Sequence, residues 1–296
     1  MYRSRLLIED DSKDLVFSKD VNVECIRADG SSSEKDSQIV MEHEMNLYVN
    51  DRLAARLVCT PSFLPEMVLG RLVTSRVIGS ADIADMADKG DMADIADKGD
   101  MADIADVVDL VEKISICDSG HTARVSLCRE AEVSLEFTIP KELTSCPANK
   151  VFVRNQAAGD LKPLAGSDWS PDDIFRLAGR FSRGSGIHKK TQGTHSAYLY
   201  HDGGIIFSAE DIGRHNAMDK VIGYMLLEQI PPRECMVYTT GRVPTDMVEK
   251  AIAARIPVLV TKAVPTDQAV EMAKRYNLTL ICKAWPDSFE VFNRSF

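Results

Sequence analysis

The densest chemistry in the chain lies in Glu210-Asp-Ile-Gly-Arg-His-Asn-Ala-Met-Asp-Lys220, where six of eleven side chains are ionisable or imidazole. Arg214 offers a planar guanidinium for two-point recognition of phosphate or carboxylate, and His215 can share a proton near neutral pH. The stretch passes through Gly213 into a helix whose expected cap is Asn216. An alternative makes Asp219 and Lys220 a solvated helix face and pairs Asp211 internally with Arg214. Upstream, Thr191-Gln-Gly-Thr-His-Ser196 sets His195 just after a glycine turn at the start of a strand. Downstream, Thr240-Gly-Arg242 adds a second guanidinium directly after another strand. Together these groups suit an anionic ligand.

A different chemistry attaches to Cys146, in Thr144-Ser-Cys-Pro-Ala-Asn-Lys150. Its loop is polar, and Lys141 and Lys150 are close in sequence. Positive neighbours and exposure favour the nucleophilic thiolate. The other cysteines (25, 59, 117, 128, 235 and 282) give an odd total of seven, with no CxxC pair. That excludes a disulfide framework or paired-cysteine zinc site as the leading reading. Cys59, Cys117, Cys128, Cys235 and Cys282 lie in apolar, strand-like text and read as inert core residues.

These groups need elements to hold them. Residues 1–38 are polar and read as a mobile N-terminal arm with one short strand at 21–28. A hairpin follows from 39, turning at Asn50-Asp51, and then a helix over FLPEMVLGRLVTS with apolar spacing at Leu64, Met67, Val68 and Val73. Strand-like text returns over 107–140, with a turn at Ser119-Gly120. Residues 141–171 read as a loop and linker, and this is where the domain boundary is expected. PDDIFRLAGRFSRGSG reads as a helix capped by Ser170 or Asp172. A hairpin around Asp202-Gly203-Gly204 leads to the Arg214 helix. Strand, helix, strand, helix and strand then alternate to the C-terminal part, which implies two right-handed crossovers and a partly parallel sheet.

In both crossovers V-P-T-D stands at the helix entrance, Val243–Asp246 and Val264–Asp267. Ordinary capping explains such a stretch. The alternative is a ligand role, because both helix starts point to the sheet edge where open α/β sheets bind ligands.

The formal net charge is -10, yet 82–108 alone carries nine Asp against two Lys. Seven of the ten excess negative charges therefore sit in three tandem nonamers, DIADMADKG, DMADIADKG and DMADIADVV. Nine residues rotate a helix by about 900°, so successive repeats turn their apolar sides to opposite faces and no stripe forms. The segment reads as a solvated, low-complexity insert rather than a metal site, since no oxygen cage is specified. The remaining body is close to neutral. An acidic chain is a poor general nucleic-acid binder, and no apolar run approaches the ~20 residues of a membrane span. With no apolar leader near Met1, the expectation is a cytoplasmic protein.

Several ordered stretches resemble the FdhD family, the formate dehydrogenase accessory sulfurtransferases. They are LYVNDRLAARLVCTP (47–61), TQGTHSA (191–197), EDIGRHNAMDKVIG (210–223), TGRVPTDMVEKA (240–251), IPVLVTKAVPT (256–266) and LTLIC (278–282). The resemblance implies an α/β fold, α+β overall. It has a β-rich N-terminal domain at 39–140 and a sulfur-carrying loop at 141–171. At 172–296 it has a three-layer α/β domain with a mixed sheet, similar to the cytidine deaminases. The deaminase zinc signature is absent, and no protein-ligated metal is expected.

The implied function is a sulfur carrier. Cys146 would take persulfide sulfur from a cysteine desulfurase. The sulfur would pass to a molybdenum bis-guanine-dinucleotide cofactor, bound as cargo, for use by formate dehydrogenase. Cofactor contacts would fall on Lys283, Ala284, Trp285, Pro286, Asp287 and Ser288, with His195, Arg214, His215 and Arg242. The family analogy also suggests a homodimer, with no nucleic-acid or membrane partner. The chain departs from the family in its sulfur loop, which commonly holds two cysteines; here Asn149 stands where the second would fall. TQGTH replaces TGGTH, and Asp287 and Ser288 stand in a loop that usually bears Gly and Arg. The alternative function is a homologue that binds or chaperones the nucleotide-containing cofactor without moving sulfur.

Overall fold

The computed structural model describes residues 6–12, 15–78, 108–128, 135–137, 150–151, 153–155, 161–182 and 186–295. Cys146 and its loop, and the nonamer insert up to 107, lie outside the described residues.

The N-terminal sheet holds β1 (Leu7–Asp10), β4 (His43–Val49), β5 (Arg52–Cys59), β6 (Val111–Cys117), β7 (Thr122–Leu127) and β9 (Lys150–Val151), in the order β1-β6-β7-β4-β5-β9. Its tight turns follow from the sequence. Asn50 and Asp51 take φ of 45° and 60°, the left-handed pair that a two-residue hairpin needs. Asp118, Ser119 and Gly120 do the same between β6 and β7. Two short pairs stand apart: β2 (Ser18–Ile26) with β3 (Ser32–Val40), and β8 (Leu135–Phe137) with β10 (Val153–Asn155).

Residues 1–38, expected to hold one strand at 21–28, contain more order than that. β1 pairs parallel with β6, Leu7 opposite Lys113, and β2 and β3 form a nine-pair antiparallel ribbon. The ribbon is mostly exposed on both sides, so it lacks the apolar alternation that announces a strand. The Asp11 carboxylate accepts from the Ser119 and Gly120 amides and fastens this segment to the β6–β7 turn.

The C-terminal sheet comprises β11 (His195–His201), β12 (Gly204–Asp211), β13 (Met236–Thr239), β14 (Val258–Thr261), β15 (Thr279–Cys282) and β16 (Glu290–Asn293), ordered β12-β11-β13-β14-β15-β16. β13, β14 and β15 run parallel and the other pairings are antiparallel, so the sheet is mixed as expected. The helices are α1 (Leu64–Thr74), α2 (Pro171–Ser182), α3 (Gly186–Thr191), α4 (Arg214–Leu227), α5 (Thr245–Ala253) and α6 (Asp267–Arg275). None among the described residues is long and apolar enough to cross a membrane. The Ser170 hydroxyl accepts from the Asp173 amide, one of the two caps expected for α2. α3 and β16 had no counterpart in the sequence reading.

Strand alternation divides the C-terminal sheet between two cores. Leu199, Val237, Leu259 and Leu280 face a large cluster that also holds Leu47, Leu57 and the inner sides of α1, α4, α5 and α6. Tyr198, Tyr238, Val260 and Ile281 face the other way, under Ile174 and Leu177 of α2. The larger cluster joins the two sheets. At its centre α1 and α4 cross with almost no spacing: a Cβ on Gly70 would strike the Asp219 carbonyl, and one on Gly223 the Glu66 carbonyl.

Gly223→Ala should therefore destabilise the fold by about 3 kcal/mol or more, because backbone cannot move aside as a side chain can. Gly179→Ala in α2, with open space at its Cβ, should be neutral or stabilising by about 0.5–1 kcal/mol. Urea unfolding of the two variants against the parent chain checks both.

Candidate functional site

β13, β14 and β15 are parallel, so Thr239, Thr261 and Cys282 finish at one edge of the sheet. β11 runs antiparallel beside β13, which brings His195 to the same edge, and the Ser196 amide donates to Thr240 Oγ1 at 3.0 Å. His195 also stands opposite Asp211, where β12 turns through Gly213 into α4. The edge therefore collects His195, Arg214, Arg242, Lys262 and the segment Lys283–Ser288. The sequence candidates of the C-terminal half converge there, whereas Cys146 lies outside the described residues.

Arg214 is the most telling of them. A Cβ on Gly241 would lie 2.7 Å from Arg214 Cδ, so only glycine leaves room for the arginine stem across this turn. Arg214 Nε is buried and has no hydrogen-bond partner among the described residues. A buried, unpaired guanidinium nitrogen is costly unless something else satisfies it. Arg242 next door is exposed. His195 is half-buried, and burial, followed by the Arg214, His188 and Lys262 charges, pushes its pKa below the ordinary histidine value. The unliganded ring is thus neutral at pH 7.

The 283–288 segment is already committed along its backbone. The Lys283 amide donates to Ala263 O, the Ala284 amide to Thr261 O and the Trp285 amide to Ser288 O. Tyr238 Oη donates to the Ala284 carbonyl, and Ala284 is buried. What this loop can offer a ligand is side chains: the Trp285 ring, 43% exposed, and the Lys283 ammonium. The latter sits 2.9 Å from Glu290 in a half-exposed pair. Such pairs contribute little and exchange partners readily. Pro286, Asp287 and Ser288 are exposed.

His215 plays a different part from the one its neighbours suggested. It is only 8% exposed, and its Nε2 lies 2.9 Å from Asp246 Oδ2 in the first turn of α5. Burial lowers its pKa and the Asp246 bond opposes the shift. The pair ties α4 to α5. It also separates the two V-P-T-D stretches: Thr266 caps α6 by accepting from the Ala269 amide, while α5 has no side-chain cap.

Behind the edge lies a buried polar network, which excludes the alternative of a solvated helix face at Asp219 and Lys220. Asp219 and Lys220 are fully buried, and Asp211 pairs with Lys220 at 2.7 Å rather than with Arg214. Asp211 also accepts from the Thr60 and Gly213 amides and from Asn216 Nδ2. Asn216 is not the helix cap, which is Gly213; its amide bridges Asp211, the Val58 carbonyl and Arg71. Asp219 takes Arg71 Nε at 2.9 Å, Lys250 Nζ at 2.6 Å and Thr74 Oγ1 at 2.7 Å. One sequence signal was available. Positions 216, 219, 220 and 223 follow the i, i+3, i+4, i+7 stripe of a buried face, and the stripe ends in glycine. His188 was also missed, because α3 carries no apolar pattern.

Burial pushes the Asp219 carboxyl up, but Arg71 and Lys250 outweigh it and hold the group below its ordinary value of 3.8. Its contribution to stability is full above that value and is lost as pH falls through the lower folded one. Asp219→Asn strands two buried cations and should cost about 3–5 kcal/mol. Denaturant midpoints measured from neutral to acid pH should show that loss, with a flatter acid limb in the variant.

The chain matches the FdhD/NarQ family model over residues 40–296. A Halalkalibacterium halodurans protein named sulfur carrier protein FdhD is 29% identical over 83% of this chain and 82% of its own length. A Listeria monocytogenes protein of the same name is 27% identical over 89% of this chain and 92% of its own. Among solved structures, a protein from Desulfotalea psychrophila named as a formate dehydrogenase accessory protein superposes with a TM-score of 0.69. That match is 25% identical and covers 94% of this chain and 97% of the other. The edge geometry, the ordered motifs and these matches agree: the chain belongs to the FdhD/NarQ family.

Proposed function

We propose that this chain is a sulfur carrier serving formate dehydrogenase. In this reading it is a sulfurtransferase that moves persulfide sulfur from a cysteine desulfurase to a molybdenum bis-guanine-dinucleotide cofactor, acting in the cytoplasm as a homodimer. The sulfur would be carried in the stretch 141–171 between the β-rich part (39–140) and the α/β part (172–296); the same stretch, expected as loop and linker, also contributes β9 and β10. The observation that carries the reading is the unpaired Arg214 Nε beside Gly241. It is a prepared anion contact at the end of three parallel strands, where α/β sheets take ligands. The Arg214 and Lys262 charges both act on His195, and Arg242 follows Gly241 directly in the chain. Trp285 offers an apolar face on which a guanine ring can stack.

Cys146 is the carrier. Its thiolate attacks the outer sulfur of the desulfurase persulfide. A new S–S bond forms on Cys146, the donor's S–S bond breaks, and the donor cysteine leaves as thiolate. With Asn149 where a second cysteine would stand, no neighbouring thiol in the loop resolves the persulfide. The sulfur then leaves only to an acceptor brought to it.

Incubation with a cysteine desulfurase and cysteine should add the mass of one sulfur atom to the intact chain, and Cys146→Ala should remove the adduct. An adduct surviving in Cys146→Ala, or none on the parent chain, contradicts the carrier role. Binding is a separate measurement. Cys146→Ala should retain GDP affinity, whereas Gly241→Ala, which displaces Arg214, should weaken it about tenfold or more while still accepting sulfur.

A further inference from the structure

The sheet edge holds a histidine that neither the sequence motifs nor the family match assigns. His188 Nδ1 lies 2.6 Å from the Thr194 carbonyl oxygen. A carbonyl only accepts, so Nδ1 carries the hydrogen and Nε2 is the ring nitrogen not used in this bond. Tautomer and orientation are thus set before any ligand arrives.

Glu210 completes the fixing. Its carboxylate accepts from the His188 amide at 2.7 Å, the Thr194 hydroxyl at 2.9 Å and the Ile187 amide at 3.3 Å. One side chain at the end of β12 therefore binds α3 to the turn that presents His195. His195 is held in turn by strand pairing with Asp211 and by the Ser196–Thr240 bond. The two imidazoles flank one short backbone segment, and a charge on His188 would act on His195.

The charged surroundings decide what such a pair does. Burial is the largest influence against protonating His195; the charges of Arg214 from α4, His188 from α3 and Lys262 from the turn after β14 add to it, and Asp211 opposes them. Lys189 and Lys190 on α3 and Arg242 after β13 are further cations, all exposed. Of the carboxylates on this side, Glu210 is taken up by amides and a hydroxyl and Asp211 by Lys220, although Asp211 still favours the charged His195 ring, and Asp287 stands exposed on the 283–288 loop. A phosphate entering here neutralises the cations that keep His195 uncharged. It also brings oxygens that a bare ring nitrogen repels and a protonated one binds.

We propose that His188 and His195 form an imidazole pair that closes the anion site, so that a phosphate-bearing ligand is bound together with a proton. The inference rests on the anion-site reading above and adds to it a proton linkage. The ligand is held more tightly as pH falls and is released more readily as pH rises.

The test is calorimetric titration of the full chain with GDP near neutral pH, in buffers of different ionisation enthalpy. The parent chain should take up about half to one proton per GDP beyond the uptake of the variants, so its affinity should fall by up to about tenfold per pH unit. His188→Gln and His195→Gln should each reduce the uptake and flatten the pH profile. The ligand's own ionisation is common to all proteins and cancels in the comparison. His201→Gln, a histidine at the opposite end of β11 paired with Glu234, should leave the uptake unchanged. Equal uptake in the parent and in both edge variants overturns the pairing. The imidazole Cε1–H resonances of the parent chain give a second measurement that needs no variant. They should move toward the protonated form when GDP binds, and no movement overturns the proposal. Absence of GDP binding by the parent chain overturns the anion-site reading itself, which is a different result from binding without differential uptake.

Discussion

Everything in this molecule is registered on one backbone-to-backbone contact, the crossing of α1 and α4 at Gly70 and Gly223. Helices that close leave no depth for side chains between them. The residues one turn away are pressed into the interface whatever their polarity. On α4 those residues are Asn216, Asp219 and Lys220, and on α1 they are Arg71 and Thr74. Their burial is a consequence of the crossing, and the ion pairs follow from the burial. The bookkeeping is not neutral: Asp211 and Asp219 face Lys220, Arg71 and Lys250. Burial and the Arg71 charge lower the Lys250 pKa to about 8, with Asp219 opposing, which brings the surplus positive charge within reach of relief. Such a network adds little over a well-packed apolar core, but a slipped crossing would leave charges unpaired at several kcal/mol each. Its main effect is to permit one register.

That register is what positions the edge. Asp211 is shared between the interface, through Thr60 and Lys220, and the start of α4, through the Gly213 amide. The residue after Gly213 is Arg214. Asp219 meets Lys250 of α5, and His215 meets Asp246 of the same helix. Hence both helices that border the edge are located by the buried network, and the Gly241 turn between them is set by their separation. The guanidinium is placed by groups that never reach solvent, so anion recognition and fold stability draw on the same residues.

Much of this was legible in the residues. Turn chemistry at Asn50-Asp51 and Asp202-Gly203 fixed two hairpins, and the alternation from 235 onward gave both crossovers and hence the shared edge of Arg214, Arg242 and 283–288. Less legible were features decided by neighbours distant in sequence. Asp219 and Lys220 look like solvent residues because their partners, Arg71, Thr74 and Thr60, lie about 150 positions away. β2 and β3 are polar on both faces, so no periodicity marks them. His188 is carried by a six-residue helix whose hold comes from Glu210 rather than from an apolar stripe. Asn216 shows the same limit: a good capping residue was drawn inward because Arg71 and Asp211 needed a bridge.

The described residues on either side of the repeat, Ile78 and Val108, are both essentially inaccessible to solvent. The intervening stretch therefore starts and ends at fixed points of the core, whatever its length. Each DMADIADKG copy carries three Asp against one Lys, so gaining or losing one would change the formal net charge by two while both buried ends stay the same.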